Sequence, residues 1–243
     1  PWNRWSELMS TARRSHRSYH YETTVGASLP VINTLKNLVR TGDRVRLIEG
    51  SFSGTLGYLT NEVMAGVPLS KAVRTARELG YTEPKPQDDL AGLDVARKAL
   101  ILARELGHQL ELEDVQVTPL VPEELLNETN LEAFFAKLES YDEELTKQID
   151  GMKLEGRVLR YLASIDPRTC DEGGKCSLRV GPTFVPADHP ATRLRGSEAF
   201  VAFTTDRHLV YPLIVQGSGA GGAVTASGVL SDVLRIAQTL RGR

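Results

Sequence analysis

One segment, GYTEPKPQDDLAGLDVARKAL from Gly80 to Leu100, constrains the fold and chemistry of this chain more than any other. It combines four carboxylates and Lys98 with a long apolar run. On a helical wheel at about 100° per residue, the apolar side chains of residues 88–107 cover most of the circumference. A helix that is apolar all round is a buried helix. Two narrow polar stripes remain on it: Arg97 with Arg104, and Asp94 with Lys98 and Glu105.

Asp94 and Lys98 are four residues apart and are therefore neighbours on one helix face. One interpretation is an ordinary ion pair on an exposed strip, worth a few tenths of a kcal/mol. The other is a pair enclosed by leucines, where it would stabilise the fold poorly and would place a lysine well for proton transfer. The residues alone leave both interpretations open.

The preceding residues, TEPKPQDD, add three further carboxylates. Two prolines stiffen this segment and delay the predicted helix until Asp88. Asp88 and Asp89 have an ordinary interpretation as helix caps that interact with the helix dipole, whereas Glu83 has none. Taken together, the group predicts an anionic pocket for a substrate ammonium, beside Lys98.

Length and composition exclude several classes of protein. The chain has 243 residues, of which 25% are charged, and a net charge of −2, so nothing points to nucleic acid or a membrane surface as partner. No apolar run approaches the roughly 20 residues of a membrane helix, and no signal peptide is visible. Zinc sites usually take four ligands. We therefore interpret the pair Cys170 and Cys176 as free thiols, with an incidental disulfide as the alternative.

The order of predicted elements indicates an α+β fold. Helices are predicted over residues 4–17, 27–42, 53–66 and 68–80, and several short ones over 122–151. Strands are predicted over 19–30, interrupted at Gly26, and over 45–52. Four β-forming runs then follow between Arg157 and Gly217, and a helix closes the chain. Strands that cluster late in the chain predict a mainly antiparallel or mixed sheet, with helices on one face.

A glycine-rich turn, QGSGAGGAVTASG, separates the last predicted strand from the last helix. Gly217, Gly219 and Gly222 match the dinucleotide fingerprint G-x-G-x-x-G. That fingerprint requires a βαβ unit, which the remaining residues do not provide. The alternatives are a turn that lines a site between domains and a turn that serves close packing.

Four segments together resemble homoserine dehydrogenases: YETTVGASLPVINTL, IEGSFSGTLGYL, GYTEPKPQDDLAGLDVARKAL and LIVQGSGAGGAVTASGVLSDVLRIA. They occur in the family's order from about Tyr21 onward, with a weaker resemblance over 111–207. ELEDVQVTPLVPEE is similar to the dehydrogenase half of bifunctional aspartokinase–homoserine dehydrogenases. The resemblance implies NAD- or NADP-dependent interconversion of L-aspartate 4-semialdehyde and L-homoserine, in the biosynthesis of threonine, methionine and isoleucine.

The resemblance also implies roles for residues. It makes Lys98 and Asp94 the catalytic pair, with Lys98 as the proton donor. It assigns the substrate to Glu83, Asp89, Gly54, Thr55 and Tyr81, and the nicotinamide to Gly219, Ala220 and Gly221. A sodium ion would be held by the carboxylate of Glu22 and the carbonyls of Val25, Ala27 and Leu29. Without the resemblance, Glu22 would be interpreted as a surface carboxylate.

The resemblance further implies a domain organisation. Residues 1–21 would end a Rossmann-type nucleotide-binding domain, 22–221 would form the catalytic and dimerisation domain, and 222–243 would return to the first domain. The glycine-rich start of that domain and another active-site lysine of the family would lie before residue 1, which leaves the activity of this chain alone open.

The expected partners are a small-molecule substrate, a second copy of the chain and an aspartokinase domain in a longer parent protein. The expected compartment is the cytoplasm, or a plastid in a plant-like source. The alternative is a non-catalytic dimerisation or regulatory domain that retains the fold. The intact set of Glu83, Asp89, Asp94 and Lys98 argues against this alternative, because a domain freed from catalysis need not keep such charges.

Overall fold

The computed structural model describes residues 3–169 and 177–241. The interpretation of Cys170 and Cys176 concerns residues outside these ranges. The helices are α1 (Trp5–Arg14), α2 (Thr23–Gly26), α3 (Val31–Arg40), α4 (Gly54–Met64), α5 (Leu69–Glu78), α6 (Pro86–Leu90), α7 (Leu93–Glu105), α8 (Glu123–Leu126), α9 (Leu131–Leu154) and α10 (Gly222–Arg241). The strands are β1 (Val45–Ser51), β2 (Gln116–Val117), β3 (Arg157–Asp166), β4 (Ser177–Pro186), β5 (Glu198–Thr205) and β6 (Leu213–Ser218).

The strands form one six-stranded sheet in the order β2-β4-β3-β1-β5-β6. Every pairing is antiparallel except that of the two-residue β2 with β4. Strand β1 lies at the centre, where Ile48 is opposite Ile165 on one side and Phe203 on the other. The predicted α+β fold with a mainly antiparallel sheet is confirmed.

The main hydrophobic core lies between one face of the sheet and helices α4, α7 and α9. The other face carries a smaller cluster under a short 3₁₀ helix, Pro190–Arg193. Buried Arg160 fastens this helix, because its Nε donates to the Ala191 carbonyl at 2.8 Å. Beside the cluster, a shallow cavity of about 540 Å³ opens on the same face. Helices α4, α7 and α9 therefore lie on one face, as expected, while the 3₁₀ helix lies on the other.

Local capping explains where several helices start. The Ser53 hydroxyl accepts the Leu56 amide at 3.2 Å, so α4 begins as predicted. The Asn130 side chain accepts two amides in the first turn of α9. Capping side chains satisfy amides that have no partner inside the helix. None of the helices in the described ranges is both long and apolar enough to cross a membrane.

Two predicted elements are wrong. Residues 19–30 contain the helix α2 and no strand, because packing of buried Tyr21 and Val25 overrides the strand preference of the threonines and valine. Residues 131–154 form one continuous helix, α9, in place of short ones. Helix α9 continues through Asp142, whose carboxylate accepts the amide of Ser70 at 2.9 Å and so joins α9 to α5.

The predicted helix over residues 88–107 is also divided. Helix α6 already begins at Pro86, and α7 begins after Gly92, whose φ is +71°. A Cβ at Gly92 would lie 1.9 Å from the hydroxyl oxygen of Tyr161, which donates to the Thr118 carbonyl at 2.8 Å. Only glycine adopts this conformation freely and leaves room for the tyrosine. The break therefore fixes the start of α7.

We expect Gly92→Ala to lower the free energy of unfolding by more than about 3 kcal/mol, because it adds steric overlap to the cost of a left-handed backbone. Gly107→Ala is the matched control. Its φ is +91° with no atom within 4 Å of the added Cβ, so it should cost about 1–2 kcal/mol. Urea unfolding of both variants measures the difference. Equal losses would show that Tyr161 moves aside and does not fix Gly92.

Candidate active site

A cavity of about 690 Å³ lies where the N-terminus of α4, residues 79–83 and helices α6 and α7 meet the turn before α10. All the residues that the resemblance assigns to catalysis, substrate and cofactor line it: Gly54, Thr55, Tyr81, Glu83, Asp89, Asp94, Lys98, Gly219, Ala220 and Gly221. Asp88 instead faces a neighbouring cavity of about 410 Å³. The structure thus brings together segments that are far apart in sequence.

Lys98 is held in one position by two contacts. Its Nζ lies 2.7 Å from Oδ2 of Asp94 and donates to the Phe52 carbonyl at 3.0 Å. Because an ammonium has three donors, one remains for a ligand in the cavity. The lysine side chain is 20% exposed and the aspartate side chain 63%. The pair therefore lies at the cavity wall and is not enclosed by leucines.

One other prediction about α7 needs correction. Leu93, predicted on the buried surface, is 42% exposed. At two of the predicted polar positions the side chains have partners within the protein. Arg104 donates to the Leu110 carbonyl at 2.8 Å, and the carboxylate of Glu105 accepts the hydroxyl of Tyr21 and lies 3.7 Å from Nζ of Lys36. Polar positions on a helical wheel can therefore face partners within the protein as well as solvent.

The carboxylates of the cavity form one acidic wall. The backbone amide of Glu83 donates to Oδ2 of Asp89 at 2.8 Å, so the two residues are fixed relative to each other. Burial raises the pKa of Asp89, and the nearby negative charges of Glu83 and Asp88 raise it further, against the lowering effect of hydrogen bonds. A carboxylate destabilised in this way is well suited to a cationic ligand.

Thr55 and Tyr81 join α4 to the acidic wall. The Thr55 hydroxyl donates to the Tyr81 carbonyl at 2.5 Å. The Tyr81 ring lies edge-on to that of Tyr58, with centroids 5.4 Å apart, and is 47% exposed at the cavity. The tyrosine thus presents its ring to the cavity while its backbone is anchored.

The opposite wall is mostly bare backbone. A Cβ on Gly219 would lie 2.3 Å from Cβ of Ala199, so the turn rests directly on β5. A Cβ on Gly54 would lie 3.2 Å from Cβ of Ser197 and 3.8 Å from that of Ala220. Sequence reasoning missed Ser197, which lines the cavity between Gly196 and β5. No residue pattern marks it, since its position follows from strand pairing.

A second polar region surrounds Glu22, which is 6% exposed and so is not a surface carboxylate. Its carboxylate accepts the amides of Ile32 at 2.7 Å and Asn33 at 2.9 Å, at the start of α3. Burial raises the pKa of Glu22, while these hydrogen bonds oppose the rise. The predicted carbonyl ligands of Val25, Ala27 and Leu29 lie in α2 and the turn after it.

Comparison with known proteins identifies the family of this chain. A family model described as homoserine dehydrogenase matches residues 30–234. The chain belongs to the homoserine dehydrogenase family. It is 46% identical over 240 residues to the chloroplastic bifunctional aspartokinase/homoserine dehydrogenase 2 of Zea mays, covering 99% of the chain and 26% of that relative. It is 40% identical over 247 residues to the homoserine dehydrogenase of Paracoccidioides brasiliensis, covering 98% and 65%.

Solved structures share the fold. A Candida auris protein of unknown function has a TM-score of 0.88 at 38% identity, covering 96% of this chain and 65% of that one. A hyperthermophilic archaeal homoserine dehydrogenase in complex with NADPH has a TM-score of 0.70 at 21% identity, covering 98% and 61%. This member of the homoserine dehydrogenase family therefore spans only part of the relatives that it matches.

Because the pKa of Asp89 is raised, we expect its ionised carboxylate to lower the free energy of unfolding. Between the ordinary carboxyl pKa and the raised one, the folded state binds more protons than the unfolded chain, so stability falls as pH rises through that window. We expect Asp89→Asn, which keeps an acceptor for the Glu83 amide, to be more stable than the wild type near neutral pH. The difference should disappear in acid.

Urea unfolding at about pH 7 and about pH 4 tests this prediction. Asp188→Asn, at an exposed loop carboxylate, is the control and should change little at either pH. An Asp89→Asn variant that is less stable than the wild type at neutral pH would contradict the prediction.

Proposed function

We propose that this chain is the substrate-binding and catalytic part of an NAD(P)-dependent homoserine dehydrogenase, which interconverts L-homoserine and L-aspartate 4-semialdehyde. The observation that carries the proposal is the cavity, in which a fixed lysine and three carboxylates face a wall of bare backbone. The family match and the names of the relatives support it. Nothing favours the non-catalytic alternative, since the cavity and its charges are intact.

The acidic wall is proposed to bind the substrate ammonium through Glu83 and Asp89. Lys98 then holds a proton at Nζ for the oxygen of the reacting carbon: it donates the proton when the aldehyde is reduced and takes it back when the alcohol is oxidised. Asp94 and the Phe52 carbonyl orient the lysine. A group held at fixed distance contributes through positioning as well as through its acidity.

The turn of Gly219, Ala220 and Gly221 is proposed to hold the nicotinamide. A Cβ on Gly221 would project into open space, with no atom within 4 Å, so the bare backbone leaves room for a flat ring. The cofactor, NAD or NADP, supplies or accepts the hydride when bound. β6 is an antiparallel edge strand and not part of a βαβ unit. This supports the interpretation of the glycine-rich sequence as a turn that lines a site, and not as a dinucleotide fingerprint.

The proposed domain organisation rests on the solvent exposure of the first and last helices, α1 and α10. Helix α1 contributes no fully buried residue, and α10 exposes apolar side chains, including Val229, Leu230, Val233 and Leu234. Such a surface is typical of an interface. We propose that 1–21 and 222–243 pack with a nucleotide-binding domain of the parent protein, and that 22–221 is the catalytic and dimerisation domain.

The remaining partners are proposals as well. We propose that a second copy of the chain binds the face of the sheet opposite α4, α7 and α9, where the cavity of about 540 Å³ lies. The bifunctional relatives support a link to an aspartokinase domain. The chloroplastic plant relatives support a plastid over the cytoplasm as the compartment in a plant-like source.

A sodium ion near Glu22 fits the chemistry of the available donors. They are oxygens only, one carboxylate and backbone carbonyls, which suits a hard cation. Ala27, at φ +54° and ψ −103°, has an unusual backbone conformation for a non-glycine residue. Within the described ranges there is no group of three histidine, cysteine, aspartate or glutamate residues that would favour another metal.

The first test is an NAD(P)H-linked assay with homoserine on the full-length protein. Lys98→Met keeps the apolar stem of the lysine and removes its ammonium, so kcat should fall by roughly 100- to 10,000-fold with little change in melting temperature. Lys71→Met, at an exposed position on α5, should retain the wild-type kcat. Full activity of Lys98→Met would disprove the proton-transfer role, and a wild type inactive on homoserine would disprove the proposed function.

The sodium proposal is tested by hydrogen exchange of residues 22–33. We expect exchange to be slower in sodium than in tetramethylammonium chloride, because a bound cation would hold the carbonyls in place. Glu22→Gln should lose this difference. Glu128→Gln, whose wild-type carboxylate accepts the Asn130 amide before the start of α9, should keep it. Exchange that is equal in both salts for the wild type would contradict a sodium site.

A further inference from the structure

The turn at Gly219–Gly221 is supported on both sides by one short part of the chain. We call residues 22–29, which comprise α2 and the turn after it, the α2 segment. It contacts β6 immediately before the glycine turn and α10 after it. The turn itself is one wall of the cavity.

On the strand side, the contact is made by Leu29. Its Cδ2 lies 3.0 Å from the position that a Cβ on Gly217 would occupy. The leucine therefore lies directly on the backbone of β6, two residues before the turn.

On the helix side, the approach is closer still. A Cβ on Gly228 would lie 2.4 Å from the carbonyl oxygen of Ala27 and 2.8 Å from Oγ1 of Thr23. Backbone thus contacts backbone between α10 and the α2 segment, and no larger side chain fits between them.

Asp232 provides the polar part of the same contact, one helical turn further along α10. Its side chain is buried, and its Oδ2 accepts the backbone amide of Glu22 at 3.2 Å. Nδ1 of His20 and the guanidinium of Arg235 lie 3.9 Å and 3.6 Å from its other oxygen. The carboxylate therefore joins α10 to the first residue of the α2 segment.

We propose that Asp232 is a positioning residue, which acts with Gly228 to set the Gly219–Gly221 turn at the cavity. About two helical turns separate Gly228 from the first residue of α10, so a shift of the helix at its contact with the α2 segment moves the turn as well. The inference rests on the proposed function only in taking this turn as the cofactor wall.

The experiment compares two variants of Asp232 in the full-length protein. Asp232→Asn keeps an oxygen that can accept the Glu22 amide, whereas Asp232→Leu has a similar size and no acceptor. We expect Asp232→Leu to raise the KM for the nicotinamide cofactor by roughly tenfold or more and to speed hydrogen exchange of residues 217–224. Asp232→Asn should restore both values to near those of the wild type.

Gly228→Ala tests the same contact without removing a hydrogen bond. Alanine is the better helix former, so the substitution would stabilise α10 if only the helix mattered. We expect instead the same rise in cofactor KM and the same faster exchange as for Asp232→Leu, because the added methyl forces α10 away from Ala27.

Asp142→Leu is the matched control, since Asp142 also accepts a backbone amide, that of Ser70, but away from the cavity. It should lower the melting temperature and leave both readouts unchanged. Unchanged exchange at 217–224 in Asp232→Leu, an equal effect of Asp232→Asn, or an equal effect of Asp142→Leu would each overturn the inference. The exchange measurements need no activity, so they stand even if homoserine proves not to be the substrate.

Discussion

The contact between Gly92 and Tyr161 fixes the charged groups of the cavity. The tyrosine lies on β3, in the middle of the sheet, and its hydroxyl occupies the space that a side chain at Gly92 would need. Burial raises the pKa of Tyr161, so the hydroxyl keeps its proton and its bond to the Thr118 carbonyl. The sheet thereby sets where α7 starts, and with it the positions of Asp94 and Lys98 relative to the sheet. The candidate active site is thus continuous with the core.

The two walls of the cavity divide the work of recognition. Carboxylates on α6, on α7 and in the segment before them favour a cationic group, while the glycine turn offers backbone and space. Lys98 stands between them, held by Asp94 and Phe52. The proposed substrate, with an ammonium at one end and a reacting oxygen at the other, matches this arrangement of charges.

Sequence alone predicted much of the fold because helix starts and strand patterns are local. Ser53 as a cap, most of the helix predicted over residues 27–42 and the four late strands all follow from neighbouring residues. The failures have distant causes: Asp142 caps another helix, and Gly92 adapts to a tyrosine on β3.

Prediction of the candidate active site from sequence was limited in the same way. Lys98 and the carboxylates were predicted from one segment together with the family resemblance, and the structure places them around one cavity. Ser197 could not be predicted, because only strand pairing brings it there. The burial of Glu22 was missed for a related reason, since its partners are the amides of a following helix.

The central position of β1 in the sheet affects how the chain folds during and after its synthesis. This strand is synthesised well before both of its neighbours, since Ile48 pairs with Ile165 and Phe203. Pairings so distant in sequence form slowly, and until they form, the strand edges and apolar faces stay exposed to other chains. This exposure can therefore end only after β5 has been synthesised. Recovery of folded protein should depend on chaperones and growth temperature more than its final stability suggests.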